Sequence, residues 1–173
     1  MKTKGDLRVQ PRGDRGIVIT RSFDAPRGLV FEAMTRPELL KRWLGVFGGW
    51  SLAVCEVDLR VGGAYRYIWH GPDGATMGMR GTFREIAPPE RIVNTEKFDE
   101  AWYPGEAVGT AILTERDGRT TVTTTVLYES REIRDAALGS GMERGIAAGY
   151  LALDDILASQ TLASQTGGEG RTS

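Results

Sequence analysis

Apolar and polar residues alternate along most of this chain, and the period changes to a helical one in two places. Residues 16–23 put Ile17, Ile19 and Phe23 on one side, which predicts a first strand. Asp24-Ala25-Pro26 then reads as a helix start, with proline where its missing N–H costs little. Leu29, Val30, Ala33 and Met34 have helical spacing, and Pro37 opens a second short helix with Leu39, Leu40, Trp43 and Leu44 as its apolar side. Two-residue alternation returns after Trp50 and predicts strands at 51–58, 63–70, 76–86, 91–98, 107–116 and 120–128. Gly71-Pro72-Asp73-Gly74, Pro88-Pro89, Pro104-Gly105 and Asp117-Gly118 separate them. Links this short join antiparallel neighbours, because a parallel pair needs a long crossover. From Ser130 the period is helical again. A break is expected at Gly139-Ser140-Gly141, and Ile146, Tyr150, Leu153 and Leu157 mark one stripe of a long final helix.

The expected order is one strand, two short helices, six strands and a long C-terminal helix. The domain spans 16–158, between a flexible lead-in at 1–15 and a disordered Gly/Ser/Thr/Gln tail at 159–173. A seven-stranded sheet must cover its apolar face, and the final helix has the stripe to do so. Two features suggest that the cover is incomplete. Tyr65, Tyr67 and Trp69 share one strand face, and Met77, Met79 and Phe83 share the next. Glycines remove side chains at Gly81 and Gly109 in strands and at Gly141, Gly145 and Gly149 along the helix. The helical glycines fit close packing on the sheet or a cavity equally well.

Charge narrows the function classes. Twenty-two basic and 23 acidic residues give a net charge of −1, which leaves no footprint for nucleic acid. Nothing approaches the roughly 20 apolar residues of a membrane span. The charged N-terminus lacks a secretory apolar region, so the expected location is the cytoplasm. Cys55 is the single cysteine, which fits a reducing compartment. With one histidine and one cysteine, no metal site or cofactor is expected. His70 reads as an exposed edge residue, and Cys55 as a small buried hydrophobe. Gly45 to Gly49 lacks the Lys-Ser/Thr ending of a phosphate loop. Asp154-Asp155 reads as a solvated helix face.

Several segments taken together carry a family resemblance over about residues 16 to 158. They are Ile19-Thr20-Arg21-Ser22-Phe23-Asp24-Ala25-Pro26, Pro37-Glu38-Leu39-Leu40-Lys41-Arg42-Trp43, Arg60-Val61-Gly62-Gly63-Ala64-Tyr65, Gly71-Pro72-Asp73-Gly74, Glu85-Ile86-Ala87-Pro88-Pro89-Glu90-Arg91-Ile92-Val93 and Met142-Glu143-Arg144-Gly145. Their order and spacing resemble the AHSA-like branch of the START-like (SRPBCC) superfamily, named after the activator of a heat-shock chaperone ATPase. Leu44 departs from it, standing where many members carry a second tryptophan. The resemblance implies an α+β helix-grip fold: a curved seven-stranded antiparallel sheet around the C-terminal helix, with a cavity between them.

Within such a cavity, parity and apolarity give a candidate ligand-binding set of Tyr65, Tyr67, Trp69, Met77, Met79, Phe83, Phe98, Met142 and Ile146, with Leu113, Val122 and Val126 also inward. Trp43, Trp50 and Trp102 fall at the rim. Glu96 shares parity with Phe98, and Arg21 with Ile19 and Phe23, so the two are candidates for a buried pair that orients a ligand. Three functions are open: binding of a small hydrophobic molecule of aromatic, polyketide-like or lipid-like character; a cyclase- or hydrolase-type reaction with Glu96 as acid/base; and a chaperone-associated interaction role. A homodimer through an exposed apolar edge is also open. The ligand's identity is not legible in the residues.

Overall fold

A computed structural model describes residues 6–100 and 103–166. Among the described residues the fold is α+β, with eight strands in one sheet and four α-helices. The strands are β1 (Arg8–Arg12), β2 (Gly16–Phe23), β3 (Ser51–Val57), β4 (Ala64–His70), β5 (Thr76–Ala87), β6 (Arg91–Phe98), β7 (Ala107–Arg116) and β8 (Arg119–Leu127). The helices are α1 (Arg27–Ala33), α2 (Pro37–Trp43), α3 (Arg131–Leu138) and α4 (Met142–Thr166). Every strand pairing is antiparallel, in the order β1-β2-β8-β7-β6-β5-β4-β3. The helices α1 and α2 carry the chain from β2 to the far edge, and the meander from β3 to β8 brings it back to pair with β2. Register shifts in β3 between Leu52 and Val54, and in β5 between Phe83 and Glu85, bend the sheet.

The sheet therefore has eight strands rather than the expected seven. The additional strand is β1, inside the segment read as a loose lead-in. Its residues are mostly exposed and include Pro11, which an edge strand tolerates. Pairing with β2, rather than its own pattern, holds it in the sheet. The helical end is two helices, α3 and α4, divided at Gly139-Ser140-Gly141, where the sequence predicts a break. Ser130 caps α3, its Oγ accepting from the Ile133 amide at 3.2 Å, and α3 stops at Gly139. Gly141, at φ +83°, turns the chain into α4. That helix runs past Ser159 to Thr166, and residues 167–173 of the expected tail lie outside the described residues.

The core lies between the inner sheet face and the helices. Ile17, Phe23, Val30, Leu40, Leu113, Val122, Leu153 and Leu157 are each at most 2% exposed. An ion pair, buried on its arginine side, ties α4 to β2: the Arg21 guanidinium donates to both Asp154 carboxylate oxygens at 2.5 and 2.6 Å. Arg21 also lies over the Phe23 ring, 4.6 Å from its centroid. On α3, Arg134 donates to the carbonyls of Gly13 and Gly16 at 3.1 and 2.8 Å, which fixes the β1–β2 turn. Asp154 is thus a partner of Arg21 and not part of a solvated face.

Candidate functional site

The second half of the inner sheet face is not covered by close packing. Beyond the buried core at Leu113, Val122 and Leu153, a cavity of about 810 Å³ is lined by both the sheet and α4. That size lies within the usual range for small-molecule pockets. The central wall is β4, where alternation puts Tyr65, Tyr67 and Trp69 on the inner face, each at most 9% exposed. Their rings touch in sequence, Tyr65 and Tyr67 tilted with centroids 4.9 Å apart, and Tyr67 and Trp69 edge to face at 5.8 Å. Phe83 of β5 extends the row, 5.5 Å from Tyr65. The strands β5 and β6 add Met77, Met79, Ile92, Asn94, Glu96 and Phe98, and α4 closes the opposite side with Met142, Gly145, Ile146, Gly149 and Tyr150.

The indoles of Trp43 and Trp69 form walls and not hydrogen-bonding heads. Trp43 Nε1 donates to the Ala33 carbonyl and Trp69 Nε1 to the Leu44 carbonyl, each at 2.9 Å. The second bond depends on Gly45. Its φ of +72° is open to glycine, and a Cβ there would collide with the Trp69 indole. The helical glycines divide between the two roles that the sequence left open. A Cβ on Gly149 would lie 2.9 Å from the Trp43 carbonyl oxygen, so Gly149 permits close packing of α4 on α2. A Cβ on Gly145 would meet nothing within 4 Å, so Gly145 faces open cavity.

Polar groups on the wall gather at one place. Glu96 lines the cavity, and among the described residues its carboxylate meets no hydrogen-bond donor and no cation. Burial pushes its carboxyl up to about 6. Burial first, and then the Glu96 charge, pushes the phenols of Tyr65, Tyr103 and Tyr128 upward. Tyr65 donates to the Thr95 carbonyl and accepts from Asn94 Nδ2 at 3.2 Å. The hydroxyls of Tyr67 and Tyr128 have no partner among the described residues. At the mouth, Asp99 is clamped by Arg66 at 2.5 Å and by Arg80 at 3.0 Å, beside the exposed Met77.

Of the residues singled out from the sequence, Tyr65, Tyr67, Trp69, Met77, Met79, Phe83, Glu96, Phe98, Met142, Ile146, Trp43 and Trp50 line the cavity. Val126 lines it too, whereas Leu113 and Val122 are packed core. Trp102 lies outside the described residues. Arg21 is not on the cavity wall: the expected Arg21–Glu96 pair does not form, because Asp154 on α4 takes the guanidinium. Tyr103, Tyr128 and Asn94 complete the polar end, although parity on a single strand could not bring them together across β4, β6 and the ends of β7 and β8. Cys55 is half-buried, and burial pushes its thiol up to about 11, away from nucleophile chemistry. His70 is exposed. Among the described residues no cluster of three or more His, Cys, Asp or Glu is placed to hold a metal, and no helix is long and apolar enough to cross a membrane.

A single antiparallel sheet holding a long C-terminal helix, with a hollow between them, is the helix-grip arrangement of START-like proteins. Residues 24–158 match the family model described as "Activator of Hsp90 ATPase homolog 1-like protein", and the chain belongs to that family. It is similar to a crystal structure of a Rhodobacter sphaeroides protein, 32% identical, with a TM-score of 0.83 over 89% of this chain and 99% of that one. A solution structure from Arthrobacter aurescens is 27% identical, with a TM-score of 0.75 over 88% of this chain and 91% of that one. A Plasmodium falciparum protein titled an HSP90 activator is 22% identical, with a TM-score of 0.59 over 83% of this chain and 96% of that one, and shares the fold alone. No curated protein matches the chain at a significant level.

Proposed function

We propose that this protein binds a small, largely apolar molecule between the sheet and α4. The observation that carries the reading is the cavity itself, about 810 Å³, walled by rings and thioethers, with the polar tips of Trp43, Tyr65 and Trp69 committed to backbone carbonyls. Filling it removes apolar surface from water at about 25 cal/mol per Å², less the cost of ordering the ligand. Methionines on β5 and α4 adapt to shape, and the aromatic row offers flat contact. Naphthylethanol, a neutral aromatic probe, is expected to bind and raise the melting temperature. At a hundredfold excess over Kd, such binding adds about 2.7 kcal/mol to folding. Gly145→Phe projects a ring into the cavity and is expected to melt cooperatively without that shift. Equal shifts in the wild type and Gly145→Phe would contradict the reading.

A second reading, acid/base chemistry on a bound substrate, is favoured by one observation: the free Glu96 carboxyl facing the cavity with its pKa near 6. A group so placed can take and return a proton near neutral pH. Its signature is turnover that falls about a hundredfold or more in Glu96→Gln. Turnover indifferent to that substitution contradicts it.

A further inference from the structure

The charge of the cavity is one-sided. Three acidic residues line it, Glu96, Asp99 and Glu100, and among the described residues no lysine, arginine or histidine does. Asp99 is already neutralised by Arg66 and Arg80 at the mouth. Arg21, the cation nearest in parity, is spent on Asp154. Glu100 is exposed to solvent, so Glu96 is the less accessible lining carboxylate for which the described residues supply no counter-ion, in a setting where an unpaired carboxylate is costly.

Resting on the binding reading above, we infer that the ligand is an organic amine, with its protonated nitrogen at Glu96 and its apolar body along the β4 aromatic row. A carboxylate ligand would meet the Glu96 charge with nothing to offset the repulsion. An ammonium supplies the missing charge and donates up to three hydrogen bonds, which the Glu96 oxygens and the hydroxyls of Tyr67 and Tyr128 can accept. The faces of Tyr67 and Trp69 add cation–π attraction along the way in. The amine class is thus selected twice, by attraction to Glu96 and by the absence, among the described residues, of a lining cation that would welcome an acid.

Calorimetric titration of the full chain with naphthylethylamine, naphthylethanol and naphthylacetate separates these terms, because the three probes share a body and differ in head group. The amine is expected to bind at least about tenfold tighter than the acid, a difference of about 1.4 kcal/mol, with the alcohol between them. Glu96→Gln is expected to bring the amine-to-acid ratio close to one while the alcohol still binds. Amine and acid binding alike, or acid binding tighter, overturns the amine assignment and leaves the cavity reading intact if the alcohol binds. A ratio unmoved by Glu96→Gln overturns the role of that carboxylate. Failure of the alcohol as well overturns both readings. The wild-type ratio decides the matter alone if the variant does not fold.

Discussion

Burial raises the Glu96 carboxyl from an ordinary value of 4.5 to about 6, and this ties folding to pH. The folded-state value is the higher one, so the proton stabilises the fold. That contribution is complete below about pH 4.5 and is lost as pH rises through about 6. The ionised carboxylate consequently costs on the order of 2 kcal/mol at neutral pH. Glu96→Gln is expected to be more stable than the wild type by about that amount near pH 8, with the gap closing near pH 4, as read by denaturant melts. A gap that is constant across this range would contradict the burial of Glu96. Single residues were unequally legible in the sequence. Alternation alone put Tyr65, Tyr67 and Trp69 on one face, because a strand offers two faces and the rings choose the inner one. The partner of Arg21 was not legible. Parity tells which side a side chain takes, but Asp154 lies 133 residues away on another element.

At the scale of elements, α4 does two things with one face. Its C-terminal part buries Leu153, Ile156 and Leu157 in the core, and Asp154 anchors it to β2. Its N-terminal part lines the cavity with Met142, Gly145, Ile146 and Gly149. The glycines mark the change. Gly145→Ala is expected to stabilise by up to about 1 kcal/mol, since alanine is the better helix former and its Cβ enters open space. Gly149→Ala is expected to destabilise, because its Cβ presses on the Trp43 backbone carbonyl, a group that cannot rotate away. Thermal melts of the two variants check this, and equal signs would contradict the division of α4. Strands β2 to β8 were legible because alternation and turn residues agree along them. The first strand was not, since Arg8–Arg12 is an exposed, polar edge that exists only through pairing with β2. The end of α4 was hidden by a Ser/Thr/Gln composition that resembles a loose tail. There the Thr161 hydroxyl turns back to the Leu157 carbonyl at 2.8 Å, inside the helix.

As a whole molecule, the protein is a sheet that is packed solid at one end and hollow at the other. Its size and topology follow the family, while the chemistry of the hollow comes from this chain's own residues: a row of rings, a free carboxylate and no lining cation among the described residues. A crystal structure grown with naphthylethanol shows at once whether the hollow takes a ligand. The predicted result is density for the ring system between Tyr67, Trp69 and Ile146, with α4 in place above it. Side chains collapsed into that space, with the probe found only on the outer surface, would contradict it.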